Sequence, residues 1–133
     1  VCSPRLMNGR SSLAPREIPN YTLLHQSARP DAWRQWLVHA GVHDADSMTG
    51  QRYELFSMLV EAARAGLGIA LVPRFLVSHE LAAGELTCPC DLPLQSAKGY
   101  YLVYPEHKQK SPWLQAFEAW LLSVASRYVE RGV

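Results

Sequence analysis

Apolar residues recur along this chain in short runs divided by glycine, proline and polar clusters, and their spacing changes from run to run. Residues 21–25 form a brief apolar stretch that predicts a strand. Trp33, Trp36, Leu37 and Ala40 then fall at i, i+3, i+4 and i+7, one face of a helix. Pro30 suits the first turn of that helix, Asp31 the positive end of its dipole and Gly41 its left-handed stop. Residues 48–53 predict a weaker strand. Leu55, Phe56, Leu59, Val60, Ala62 and Ala63 make a broad helical stripe closed by Gly66. The unbroken apolar run 69–72, bounded by Gly68 and Pro73, suits a strand covered on both faces. Residues 75–83 predict a helix ended by Gly84, residues 86–88 a short strand, and residues 91–98 a polar crossover. Residues 100–104 are aromatic and β-branched enough to be a strand. Ser111 and Pro112 supply an N-cap and a first-turn proline, and Trp113, Phe117, Trp120, Leu121 and Val124 stripe a long amphipathic helix. Residues 2–20 hold three prolines and many polar residues, which predicts a loop with at most one helical turn near residues 4–7.

The order is strand then helix three times, followed by two strands and a long helix. That alternation predicts an α/β fold, doubly wound around a mostly parallel sheet. Ligands of such folds sit beyond the carboxyl ends of the strands, where helix N-termini present free N–H groups.

Composition narrows the function. The chain has 133 residues, 48% of them apolar and 19% charged, with a formal net charge of +1. This is one domain's worth of chain and is too apolar for intrinsic disorder. Lys and Arg are scattered singly, which argues against a nucleic-acid-binding surface on these residues. No run is long and apolar enough for a membrane helix, and no charged-then-apolar leader opens the sequence. The opening Val-Cys-Ser-Pro suits the end of a strand, so a fragment lacking an N-terminal part is expected. Cys2, Cys88 and Cys90 do not make a disulfide framework, and Cys88-Pro89-Cys90 is too tight for a zinc knuckle. A reducing cytoplasm fits.

Little in the sequence suggests catalysis. Gly66-Leu67-Gly68 lies between a helix and a strand, the reverse of a phosphate loop. His39 and His43 are separated by the helix stop at Gly41, so no metal pair is expected. His79-Glu80 lies in a short helix and is expected at the surface. His25 and Glu54 could in principle serve as acid and base, and Cys2 with His25 as nucleophile and base, but no orienting partner is evident. No catalytic residue, metal or cofactor is therefore assigned. His25 ends a strand just before a helix, so it is either a ligand contact or a hydrogen-bonded structural histidine. Tyr53, Glu54, Leu55, Phe56 and Ser57 span a strand-to-helix turn and form the leading site candidate, suited to an anionic group. Glu54 either complements the helix dipole or faces the cleft and receives an amine.

Several segments fall in a familiar order: Cys2-Ser3-Pro4; Leu23-Leu24-His25; Trp33-Arg34-Gln35-Trp36-Leu37 with Ala40-Gly41; the run from Glu61 to Pro73; Glu80 to Leu86; Tyr100 to Pro105; and Phe117 to Leu121. Together they resemble the effector-binding domain of LysR-type transcriptional regulators, in the branch of the glycine-cleavage and β-lactamase regulators. The run from Glu61 to Pro73 is the most specific part. The resemblance implies two lobes like those of type 2 periplasmic binding proteins, with a small effector bound between them. It implies DNA binding through a separate helix-turn-helix domain, absent from this sequence, and a dimer or tetramer.

On that resemblance, residues 1–5 are the first crossover, residues 6–97 the second lobe, and residues 98–133 the return crossover and C-terminal helix of the first lobe. Tyr53 to Ser57 match an effector-contacting turn, Tyr100 a cleft-lining position, and Cys2 and Ser3 the first crossover. Trp113, Phe117 and Trp120 are expected to lie uncovered or against a partner chain. Two rivals share the fold: a periplasmic-type solute-binding protein and an enzyme.

Overall fold

Consecutive residues of the central strand are buried in different cores. β1 (Leu23–Gln26) places Leu23 against one apolar cluster and Leu24 against another. β3 (Ile69–Ala70) does the same with Ile69 and Ala70. Side chains alternate across a strand, so both faces of the sheet are covered. The computed structural model describes residues 1–95 and 99–130.

The sheet runs in the order β2-β1-β3, with β2 (Arg52–Tyr53) and β3 both parallel to β1. His25 pairs with Arg52, Gln26 with Tyr53, Leu23 with Ile69 and Leu24 with Ala70. One face is covered by α1 (Ala32–His39) through Trp33, Trp36 and Leu37, joined by Met7, Leu13 and Ile18. The two indoles meet edge to face at 5.8 Å and donate to the carbonyls of Leu24 and Leu92 at 2.9 and 2.8 Å. The other face carries Leu59, Val60, Ala62 and Ala63 of α2 (Phe56–Arg64), with Val77 and Leu86. The fold is the expected doubly wound α/β arrangement.

Several elements differ in extent from the sequence pattern. A second 3-10 segment, Pro15–Asn20, follows the expected turn Pro4–Met7. The expected helix over 75–83 splits into a 3-10 turn, Arg74–Val77, and a short α3 (Ser78–Ala82). Residues 86–88 contribute one antiparallel bridge, Thr87 to Cys2, with hydrogen bonds of 3.0 and 2.9 Å. Val1 in turn exchanges hydrogen bonds with Ala70 of β3 at 2.7 and 2.9 Å, so residues 1–2 and 87 continue the sheet past β3.

The chain forms two compact units, Val1–Leu94 and Gln95–Val133. The second holds a 3-10 turn, Glu106–Lys108, and α4 (Pro112–Glu130). The expected strand over 100–104 is not formed, and the described sheet stops at the elements above. Aromatic and β-branched residues favour strands by packing on neighbours, and the pattern carried no information about those neighbours. Trp113, Phe117 and Trp120 are exposed, Trp113 at 86%. Part of the expected crossover, residues 96–98, lies outside the described residues.

Candidate functional site

The carboxyl ends of β1 and β2 lead into a turn that the rest of the sheet holds in place. The Ser27 amide donates to the Tyr53 carbonyl at 2.8 Å. Gln26 donates through Nε2 to the Glu54 carbonyl at 2.9 Å, while its Oε1 is buried with no partner among the described residues. The Tyr53 hydroxyl donates to Gln51 Oε1 at 2.6 Å. Leu55 is extended, with φ −107° and ψ 142°, and no side chain caps the helix it precedes.

The first turn of α2 is consequently open. The Leu59 amide donates to the Leu55 carbonyl at 3.1 Å, but the amides of Phe56, Ser57 and Met58 have no acceptor among the described residues. Free N–H groups at a helix N-terminus favour negative charge. Glu54, Leu55 and Ser57 are exposed, and Tyr53 and Phe56 half-buried. The Arg29 guanidinium lies over the Phe56 ring, 5.3 Å from its centroid.

Residues 53–57 therefore come together as a unit, and the fold adds Gln26 and Arg29, which sequence reasoning missed. The available signal was their place just after His25, at the same strand end. His25 itself points inward. It is 2% exposed, and its Nε2 donates to the Thr49 carbonyl at 3.2 Å. Thr49 is fixed by Asp46, whose Oδ2 accepts from the Thr49 hydroxyl and whose Oδ1 accepts from the amides of Met48 and Thr49 at 2.8 and 3.2 Å. The Thr49 hydroxyl, followed by these amides, holds the Asp46 carboxyl below its usual pKa.

Cys2 and Ser3 lie elsewhere. Both are buried, and the Ser3 amide donates to the Ala63 carbonyl at 3.0 Å. Ala63 is seven residues beyond Phe56, roughly 10 Å along α2, so this contact is at the opposite end of the helix. Burial pushes the Cys2 thiol pKa up, which disfavours the nucleophilic thiolate. Tyr100 belongs to the second unit and is 68% exposed.

A shallow, mostly apolar groove of about 480 Å³ runs along the outer flank of α2, between Tyr53, Ser57, Met58, Glu61 and Leu67. Among the described residues no cluster of three or more His, Cys, Asp or Glu could hold a metal ion. No helix among them is long and apolar enough to cross a membrane. The open turn can bind an anionic group, and neither Tyr53 nor Ser57 is hydrogen-bonded to a histidine that could activate it.

This parallel sheet with helices on both faces defines an α/β domain of the periplasmic-binding-protein-like class. The chain matches the LysR substrate binding domain over residues 1–126, and it belongs to that family. It is 31% identical over 132 residues to the glycine cleavage system transcriptional activator of Escherichia coli (strain K12), spanning 98% of this chain and 43% of that protein. It is 40% identical over 91 residues to the HTH-type transcriptional regulator TrpI of Pseudomonas aeruginosa, spanning 67% of this chain and 31% of the relative. The effector domain of the transcriptional regulator AmpR of Pseudomonas aeruginosa superposes with a TM-score of 0.72 at 26% identity, over 97% of this chain and 61% of that one. The AmpR effector binding domain of Citrobacter freundii shares the fold, with a TM-score of 0.71 at 22% identity, over 95% and 62% of the two chains. The chain thus spans less than half the length of these two curated relatives, which are transcriptional regulators rather than enzymes.

Proposed function

We propose that this chain is the effector-sensing part of a cytoplasmic LysR-type transcriptional regulator. The family match over residues 1–126 carries this reading. Residues 6–97 form one lobe, residues 1–5 lead into it, and residues 98–133 return to a neighbouring lobe. The exposed rings of α4 fit a helix that packs on more of that neighbour. DNA is bound by a helix-turn-helix domain elsewhere in the protein, which works as a dimer or tetramer.

A small metabolite docks at the turn formed by Tyr53, Glu54, Leu55, Phe56 and Ser57. Cys2 and Ser3 support the crossover backbone. His25 holds the loop before β2 and positions the turn without touching ligand. Glu54, which has no ion pair among the described residues, receives an amine of the effector. Binding shifts the balance of two lobe arrangements, by no more than the difference in the effector's affinity for them.

Thermal-shift screening of the full-length protein against a metabolite library, followed by footprinting on its operator, tests the proposal. A metabolite that stabilises the protein and alters the footprint is expected. A stabilising metabolite that leaves the footprint unchanged, or is chemically converted, would overturn it.

A further inference from the structure

A second cleft, of about 290 Å³, lies between Pro15 and Arg16 and the chain at residues 40–44. It sits on the α1 side of the sheet, opposite α2. Both walls are anchored in one core, where Ile18 is buried and against which Ala40 and Val42 pack. The 3-10 segment that starts at Pro15 is held by Glu17, which accepts from the Ala14 amide and from Arg10. The stop of α1 is held by the amides of Gly41 and Val42, which donate to the carbonyls of Val38 and Leu37 at 3.0 and 2.8 Å. The cleft is therefore preformed, and filling it costs little in ordering the chain.

Charges of both signs line this cleft without meeting. Arg16 and Asp44 belong to opposite walls, and neither joins the ion pairs of the described residues, which are Arg10 with Glu17, Arg34 with Asp31, and Arg64 with Glu61 and Glu85. The carbonyls of His39 and Ala40, at the end of α1, accept no backbone hydrogen bond among the described residues. They add partial negative charge to the segment that carries Asp44. Pro15, Ala40 and Val42 supply apolar surface. We propose that this cleft is a second ligand site, separate from the turn at residues 53–57, and that it takes a small aliphatic α-amino acid. The carboxylate accepts from Arg16, the ammonium donates to Asp44 and to the free carbonyls of α1, and the side chain lies on Pro15, Ala40 and Val42. A ligand with one charge leaves the opposite wall unpaired.

L-valine is the probe, with isovalerate and isobutylamine as the analogues that lack its ammonium or its carboxylate. Each is titrated into the full-length protein carrying 13C-labelled Ala, Leu and Val methyls. With L-valine, the Ala40 and Val42 methyls shift together along one saturating curve, and those of Leu55 stay in place. Each analogue binds about fivefold or more weakly. Arg16→Gln and Asp44→Asn each raise the L-valine Kd about fivefold, the upper range for ion pairs that face water. Both side chains are exposed, so both variants keep the fold. Arg16→Gln leaves the isobutylamine Kd unchanged, and Asp44→Asn leaves the isovalerate Kd unchanged. If either analogue binds as tightly as L-valine, or either variant binds L-valine as the wild type does, the two-charge site is overturned. It is overturned too if the Ala40 and Val42 methyls stay in place, whether or not those of Leu55 move.

Discussion

Gln26 and Glu54 are joined by one hydrogen bond, from the Gln26 Nε2 to the Glu54 carbonyl at 2.9 Å, which ties the end of β1 to the turn that starts α2. The same amide leaves its Oε1 buried and unpaired among the described residues. The two halves of this side chain act in opposite directions. The bond contributes about 1 kcal/mol, and the unpaired oxygen costs about 1–3 kcal/mol. Gln26→Met removes both, so urea melts should show stability unchanged or raised by up to about 2 kcal/mol. The effector midpoint should shift, because the turn has lost its tie. Gln26→Glu buries a charge instead, and should lower stability at neutral pH and recover it in acid.

Phe56 carries two duties that substitutions can separate. Its side chain packs against the cluster of Leu24, Leu59 and Val77, and its ring seats Arg29. Phe56→Ala loses both. For a half-buried ring the stability cost should be about 1–3 kcal/mol by chemical denaturation. Phe56→Leu keeps most of the packing and loses the aromatic face, so it should cost less while releasing Arg29 as fully. Operator affinity without effector should be unchanged in both, as read by gel shift. If operator binding falls in step with unfolding, the turn serves stability alone.

Gly50 shows how the candidate site rests on backbone that only glycine supplies. Its φ is +142°, and a Cβ there would collide with the Leu23 carbonyl and crowd the His25 ring. Gly41 has φ +70° and open space around it. Gly41→Ala should therefore cost only the left-handed penalty of about 1–2 kcal/mol. Gly50→Ala adds a clash with β1 and should cost clearly more, with the Thr49 to His25 hydrogen bond lost. Denaturant midpoints of the two variants give the comparison directly.

The layered fold was legible because its signals are local. The stripe of Trp33, Trp36 and Leu37 and the unbroken run at Ile69 and Ala70 each report a buried face. Strand lengths were not legible, since a strand ends where its partner ends. Arg52 and Tyr53 pair only as far as His25 and Gln26 allow. Residues 100–104 have strand-like composition and no strand, for the same reason. At the site, residues 53–57 stood out because the strand-to-helix turn is continuous in sequence. Gln26 and Arg29 reach it from a segment more than twenty positions earlier. Contacts of that kind depend on register, which the pattern of one chain does not encode. His25 was placed at the right strand end, but strand alternation alone did not establish that its ring would turn to Thr49.

Acid should weaken the protein partly through a pair far from the site. The Arg10 guanidinium forks onto Glu17 at 2.8 and 2.9 Å, and the Ala14 amide donates to the same carboxylate at 2.7 Å. The Arg10 bonds, then the Ala14 amide, lower the Glu17 pKa from 4.5 to about 2. The unfolded chain therefore takes up this proton before the folded one does. The stabilisation is complete above the unfolded value near 4.5 and disappears as pH falls toward about 2. Glu17→Gln should accordingly lower Tm above about pH 5, and the gap to the wild type should close across this window. Asp46, whose pKa is also lowered, keeps a residual acid slope in the variant. Because the pair is exposed, molar salt should shrink the gap at neutral pH. A Tm difference that stays constant from neutral pH to about pH 2 would show that Glu17 stabilises by packing and not by charge.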